Sequence, residues 1–147
     1  MKRMTMLVVI AVAAITSIQA QEFKVITVVE SIVPGGLGRS RIVENKSELD
    51  VSNFTTERTD GKKSGQRDIK RKDAKIDRFA ESKLLNFYSI AGINFQNIAS
   101  NDALISSKLN QMSQEGWELA YVTSGVESDA GKTDDYGLFI TRFIFKR

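Results

Sequence analysis

The stretch Asn101–Val122, NDALISSKLNQMSQEGWELAYV, decides how the rest of the chain is read. Leu104, Ile105, Leu109 and Met112 recur at helical spacing, with Lys108 at the edge of their stripe, which predicts a helix over Asn101–Glu115. Asn101 has the side chain of an N-cap, an oxygen able to accept an otherwise unpaired backbone N–H, and Asp102 places negative charge at the positive end of the helix dipole. Gly116 suits the left-handed position just past the helix, where a residue without Cβ is unstrained. Trp117 and Met112 then form the hydrophobic pair of a Schellman ending. Beyond Gly116 the period changes to two, so Trp117, Leu119 and Tyr121 are expected on one side of a strand and Glu118, Ala120 and Val122 on the other. The chain's one tryptophan reads as a plug between helix and sheet in preference to a surface for stacking a ligand.

Working outward, Gly137–Lys146 reads as a closing strand with Phe139, Thr141, Phe143 and Phe145 on one face and Leu138, Ile140, Arg142 and Ile144 on the other. Phe23–Val33 is rich in β-branched residues and reads as an opening strand that ends at Pro34-Gly35-Gly36. Arg41-Ile42-Val43 adds a short strand. These elements predict an α+β fold: an antiparallel sheet of three to four strands, with one helix packed across a face and a charged, partly helical insertion at about residues 44–85. The expected core is Met112, Gly116, Trp117, Leu119, Tyr121, Phe139 and Phe143. One helix cannot cover both apolar faces of the closing strand. The segment Arg67–Ile98 folded back over the second face is the first expectation, and a homodimer the second.

The junction Glu115-Gly116-Trp117-Glu118-Leu119, preceded by an amphipathic helix and followed by a strand of the type Phe139-Ile140-Thr141-Arg142, resembles the small bacterial domain of unknown function 4177. An opening strand such as Phe23-Lys24-Val25-Ile26 belongs to the same pattern. The stretches Glu30–Arg41 and Asn86-Phe87-Tyr88-Ser89 are similar to secreted Bacteroidetes-type members. The long charged insertion departs from the pattern. The resemblance implies a fold and carries no activity with it.

At the N-terminus, Met1-Lys2-Arg3 precedes an apolar run over Met6–Ile15 and the small residue Ala20, the layout of a secretory signal peptide at 1–20 with cleavage before Gln21. A single domain over 21–147, periplasmic or secreted and with no transmembrane helix, is the expectation. The formal charge of the whole chain is +3; with Lys2 and Arg3 gone from 21 basic residues, against 18 acidic ones, it falls to +1. That balance argues against nucleic acid as a partner. The chain has no histidine and no cysteine, which removes imidazole bases, thiolate nucleophiles and the usual zinc ligands.

Anion binding has two candidate sites: Arg39 and Arg41 in the glycine-rich stretch, and Lys70, Arg71 and Lys72 in the insertion. Interleaved Asp68, Asp73 and Asp77 set a solvated helix over about Arg67–Leu85, laced with local ion pairs, against the second site. Glu127, Asp129, Asp134 and Asp135, in an expected hairpin loop over Thr123–Tyr136, do not follow the ligand spacing of an EF-hand. No catalytic, metal-ligating or cofactor-binding constellation emerges. The sequence therefore points to an exported, non-catalytic binding module whose partner is an envelope protein or ligand. A polyanion binder acting through residues 62–83 is the alternative, and a small carboxylate-dependent hydrolase the second alternative.

Overall fold

A computed structural model describes residues 20–33, 39–127 and 137–147. The chain order is β1 (Phe23–Ser31), β2 (Arg41–Asn45), β3 (Phe79–Lys83), the two-residue strands β4 (Tyr88–Ser89) and β5 (Gly92–Ile93), helix α1 (Phe95–Gln114), β6 (Glu118–Glu127) and β7 (Leu138–Lys146). The fold is α+β, and its main sheet has five antiparallel strands in the order β3-β2-β1-β7-β6, larger than the three or four expected. β4 and β5 form a separate hairpin. The signal-peptide reading and the carboxylates at 129, 134 and 135 fall outside the described residues.

Register sorts the side chains, because residues directly opposite each other share a face. Ile26 lies opposite both Phe143 and Glu44, Val28 opposite Ile42, and Lys24 opposite Phe145. This face carries the buried cluster of Ile26, Val28, Ile42 and Phe145, completed by Met112, Trp117 and Leu84, with Ile105, Leu109 and Phe143 packed at its margin. α1 is the lid over it.

The ending of α1 follows the sequence. Gly116 has φ +83°, its N–H donates to the Ser113 carbonyl, and the Trp117 N–H donates to the Met112 carbonyl, both at 3.0 Å. Its beginning does not. The cap is Asn94, whose side-chain oxygen accepts from the Asn97 N–H at 3.1 Å, so the helix starts at Phe95 and not after Asn101. Asn101 sits inside the buried stripe, seven residues in sequence ahead of Lys108, and is fully buried. Its carboxamide oxygen accepts from the Leu85 N–H at 2.8 Å; its nitrogen donates to the Leu85 carbonyl at 2.7 Å and to Glu30 Oε1 at 2.9 Å. It thus satisfies both backbone groups of a segment that has left the sheet, the reason a polar residue survives there.

The insertion also differs from expectation. Residues 67–85 hold no α-helix: a 3-10 turn at Gln66–Asp68 and tight turns lead into β3, which pairs with β2 from Asn45↔Phe79 to Arg41↔Lys83. β2 and β3 are thus two arms of a hairpin whose long charged excursion leaves the sheet at the Asn45 end. After β3 the chain crosses over the opposite end, where the Leu84 N–H donates to the Ser40 carbonyl and the Phe87 N–H to the Ser31 carbonyl. It then joins the helix side, with Leu84 in the core and Phe87 6.2 Å from Phe139 between ring centres. The segment 67–98 does not cover the second face of the sheet, contrary to expectation.

Candidate interaction surface

The second face is assembled from the alternate residues of each strand. Tyr121 lies opposite Ile144, Thr123 opposite Arg142 and Gly125 opposite Ile140. Val29 lies opposite Ile140 and Arg41, and Thr27 opposite Arg142 and Val43. Phe23, Val25, Phe79 and Tyr121 on this face are 60, 43, 49 and 63 % exposed. None of the buried core residues belongs to it. These four side chains are the exposed large apolar residues of this face among the described residues.

Polar residues alternate with the apolar ones across this face, Thr27, Glu81, Lys83, Thr123 and Glu127 among them. Arg41 forms an ion pair with Glu81, and Lys146 with Glu118. Arg142 stands in the middle of β7 between the two threonines, with Ile140 and Ile144 on either side along its own strand. Among the described residues its guanidinium has no hydrogen-bond or ion-pair partner. The alternation of Ile140, Arg142 and Ile144 was visible in sequence, but that α1 packs on the other face was not.

β6 adds an edge. All ten of its residues are exposed, and its outer side pairs with no strand among the described residues. β3, at the other edge, is half as long and carries Glu81 and Lys83, charges of the type that discourage edge pairing. The register of β6 shifts between Leu119 and Tyr121, with Ala120 as the extra residue. Leu119 therefore faces the helix side and Tyr121 the open side, not the shared side expected. Of the expected core, Met112 and Trp117 are buried, and Phe143 packs at the margin. Leu119, Tyr121 and Phe139 are exposed, because an edge strand and the far end of β7 extend past the helix. The expected loop over Thr123–Tyr136 begins later, since β6 runs to Glu127.

The covered face holds a buried ionic hub, the one among the described residues. Glu44 Oε1 lies 2.6 Å from both Lys24 Nζ and Lys46 Nζ, and Oε2 lies 2.6 Å from Lys108 Nζ. Burial alone would raise its pKa, but hydrogen bonds from Lys108, Lys24 and Lys46 outweigh that and hold it at about 2. A carboxylate held so low is a poor proton donor or acceptor near neutral pH, so the cluster reads as a tie between helix and sheet. Glu30 shifts the other way: burial raises its pKa, the Asn101 hydrogen bond opposes the rise, and Asp102 adds to it. Trp117 is 7 % exposed, with Arg147 and Lys24 lying 4.4 and 5.6 Å from its ring centre, which seals the end of the core with cations.

The candidate anion sites come apart in space. Arg39 and Arg41 lie at the Ser40 end of the hairpin, whereas Lys70, Arg71 and Lys72 sit on a turn in the excursion that leaves from its other end, with five-residue strands between them. A different set converges instead: Arg58, Lys62, Lys63 and Arg67 line a cavity of about 440 Å³ with Asp68. No ion pair engages these four cations among the described residues, and the expected local pairs with Asp68, Asp73 and Asp77 are not formed.

No helix of the described residues is long and apolar enough to cross a membrane. No protein-family model, curated protein or solved structure matches the chain, so the resemblance to domain of unknown function 4177 rests on its residues alone.

Proposed function

We propose that this protein is an exported, non-catalytic binding module that engages a partner of the cell envelope through the open face of its sheet. The carrying observation is that Phe23, Val25, Phe79 and Tyr121 are exposed on a face that also holds Arg142, which has no partner among the described residues. A few hundred Å² of apolar surface at about 25 cal/mol per Å² is worth several kcal/mol to whatever covers it. The signal-peptide pattern at 1–20 supports export and predicts Gln21 as the first residue of the processed chain, which N-terminal sequencing of the secreted or periplasmic fraction reads directly. A photo-crosslinking residue at Tyr121 should trap a partner in the exporting cell, and one at Ser106 on the outer side of α1 should not. Equal trapping at both positions, or none at Tyr121, contradicts the proposal.

The convergence of Arg58, Lys62, Lys63 and Arg67 favours a second reading, a polyanion contact at the tip of the β2–β3 excursion. Replacing Lys62, Lys63 and Arg67 by glutamine should then weaken heparin retention far more than the same change at Lys70, Arg71 and Lys72. An equal effect from the two triples, or no effect, dismisses it.

A further inference from the structure

The two faces of the sheet are of one size and carry opposite charge problems. On the covered side a carboxylate, Glu44, stands among apolar strand residues and is met by Lys108 from the helix that lies over it. On the open side a guanidinium, Arg142, stands between Thr27 and Thr123 across the strands and Ile140 and Ile144 along its own, and has no hydrogen-bond or ion-pair partner among the described residues. α1 has 20 residues and is therefore about 30 Å long, close to the length of the nine-residue β7 at about 3.3 Å per residue.

We infer that the open face seats an amphipathic helix of about twenty residues, supplied by the partner, with one carboxylate in its apolar stripe placed to meet Arg142. This rests on the binding-module reading above and names the chemistry of its partner. Covering Arg142 with a purely apolar stripe would strip a guanidinium of water with no charge to balance it and only the Thr27 and Thr123 hydroxyls beside it, which is strongly unfavourable. A carboxylate receives two of the guanidinium N–H donors in a fork geometry. The flanking Thr27 and Thr123 hydroxyls lie on the same face to complete the polar island. A second copy of this chain laid face to face is the poorer occupant. It brings a second Arg142, and of the carboxylates it brings, Glu81 and Glu118 are already engaged by Arg41 and Lys146 and Glu127 lies at the far end of β6, opposite Leu138. The occupant is then recognised by pattern: apolar residues at helical spacing with a single Glu or Asp at the centre of the stripe, the mirror image of Lys108 in α1.

Three synthetic twenty-residue helical peptides test this, identical in their leucine and alanine stripe and differing only in a central Glu, Gln or Lys. Binding to the purified protein is followed by fluorescence anisotropy of the labelled peptide. The Glu peptide should bind at least tenfold more tightly than the Lys peptide, with Gln between, and on Arg142→Glu protein the order should invert. Arg142 is exposed, so the substitution should leave the circular dichroism and melting temperature unchanged; Arg142→Gln, which should erase the preference without inverting it, is the second variant. Equal affinities for the three peptides, all abolished by Val25→Asp, would keep the face and reject the carboxylate. Absence of binding by every peptide would reject both. A stable dimer in sedimentation velocity that Ile144→Asp dissociates would hand the face to a second copy and overturn the inference.

Discussion

The covered and open faces of this sheet are made from the same strands, residue by alternate residue, yet they differ in everything that follows from burial. Phe145 and Ile144 are neighbours on β7. The first is 2 % exposed beneath α1, and the second is half-buried on the face away from it. On the covered side the buried Glu44 and Asn101 are answered, Glu44 by three lysines and Asn101 by Leu85 and Glu30. On the open side Arg142 is left to solvent. Buried polar groups must be answered within the fold, whereas an exposed cation keeps its water until something covers it.

The comparison breaks most readily on β7 itself. Phe145→Ala should cost about 4 kcal/mol in urea unfolding and Ile144→Ala about 1 kcal/mol, because only the first leaves a cavity under a lid. Equal costs would mean that both faces are covered.

Acid sharpens it next. The Glu44 pKa of about 2 lies below the ordinary value of 4.5, so the folded state holds the proton more weakly than the unfolded chain. The resulting stability is fully present above pH 4.5 and is lost as the pH falls toward 2, amounting to about 3 kcal/mol at its fullest. Glu30, whose folded pKa is raised, works in the opposite sense, its contribution falling as the pH rises through that pKa. The difference between wild type and Glu44→Gln in acid titrations of unfolding therefore isolates the Glu44 hub. A difference that does not shrink between pH 5 and pH 2 would show that the hub is not what ties α1 to the sheet.

Asn101→Leu should cost about 2 kcal/mol, since it leaves the Leu85 N–H and carbonyl without partners beneath the helix. Wild-type stability in that variant would remove the link between α1 and the segment after β3. Gly116→Ala should cost about 1 kcal/mol, purely from its left-handed backbone, because an added Cβ there meets no atom within 4 Å. On the open face Arg142→Gln should change stability by less than about 0.5 kcal/mol, as for an exposed side chain without a partner. A larger loss would place Arg142 in an interaction within the fold.

What could be read from the sequence divides along physical lines. The end of α1 was legible because a glycine with positive φ and its two hydrogen bonds are local requirements, met within Met112–Trp117. The start was not, because an asparagine ahead of an apolar run has the form of a cap whether or not it is buried, and only the arrival of Leu85 explains Asn101. Ile69, Ile76, Phe79, Ala80 and Leu84 have near-helical spacing, yet Phe79–Lys83 becomes a strand because β2 offers it a partner distant in sequence. The bulge at Ala120, which puts Leu119 and Tyr121 on opposite faces, has no local mark at all. The apolar character of both faces of β7 was legible, and which of them stays open was a matter of where the chain went after β3.

Hydroxyl-radical footprinting of the isolated protein, read residue by residue by mass spectrometry, tests the asymmetry most directly. Tyr121, Phe23 and Phe79 should be oxidised readily, while Trp117, Phe145 and the intrinsically reactive Met112 stay protected under α1. Protection of Tyr121 and Phe79 to the level of Trp117 in dilute monomer would contradict an open face, and the partner proposed for it would have nothing to cover.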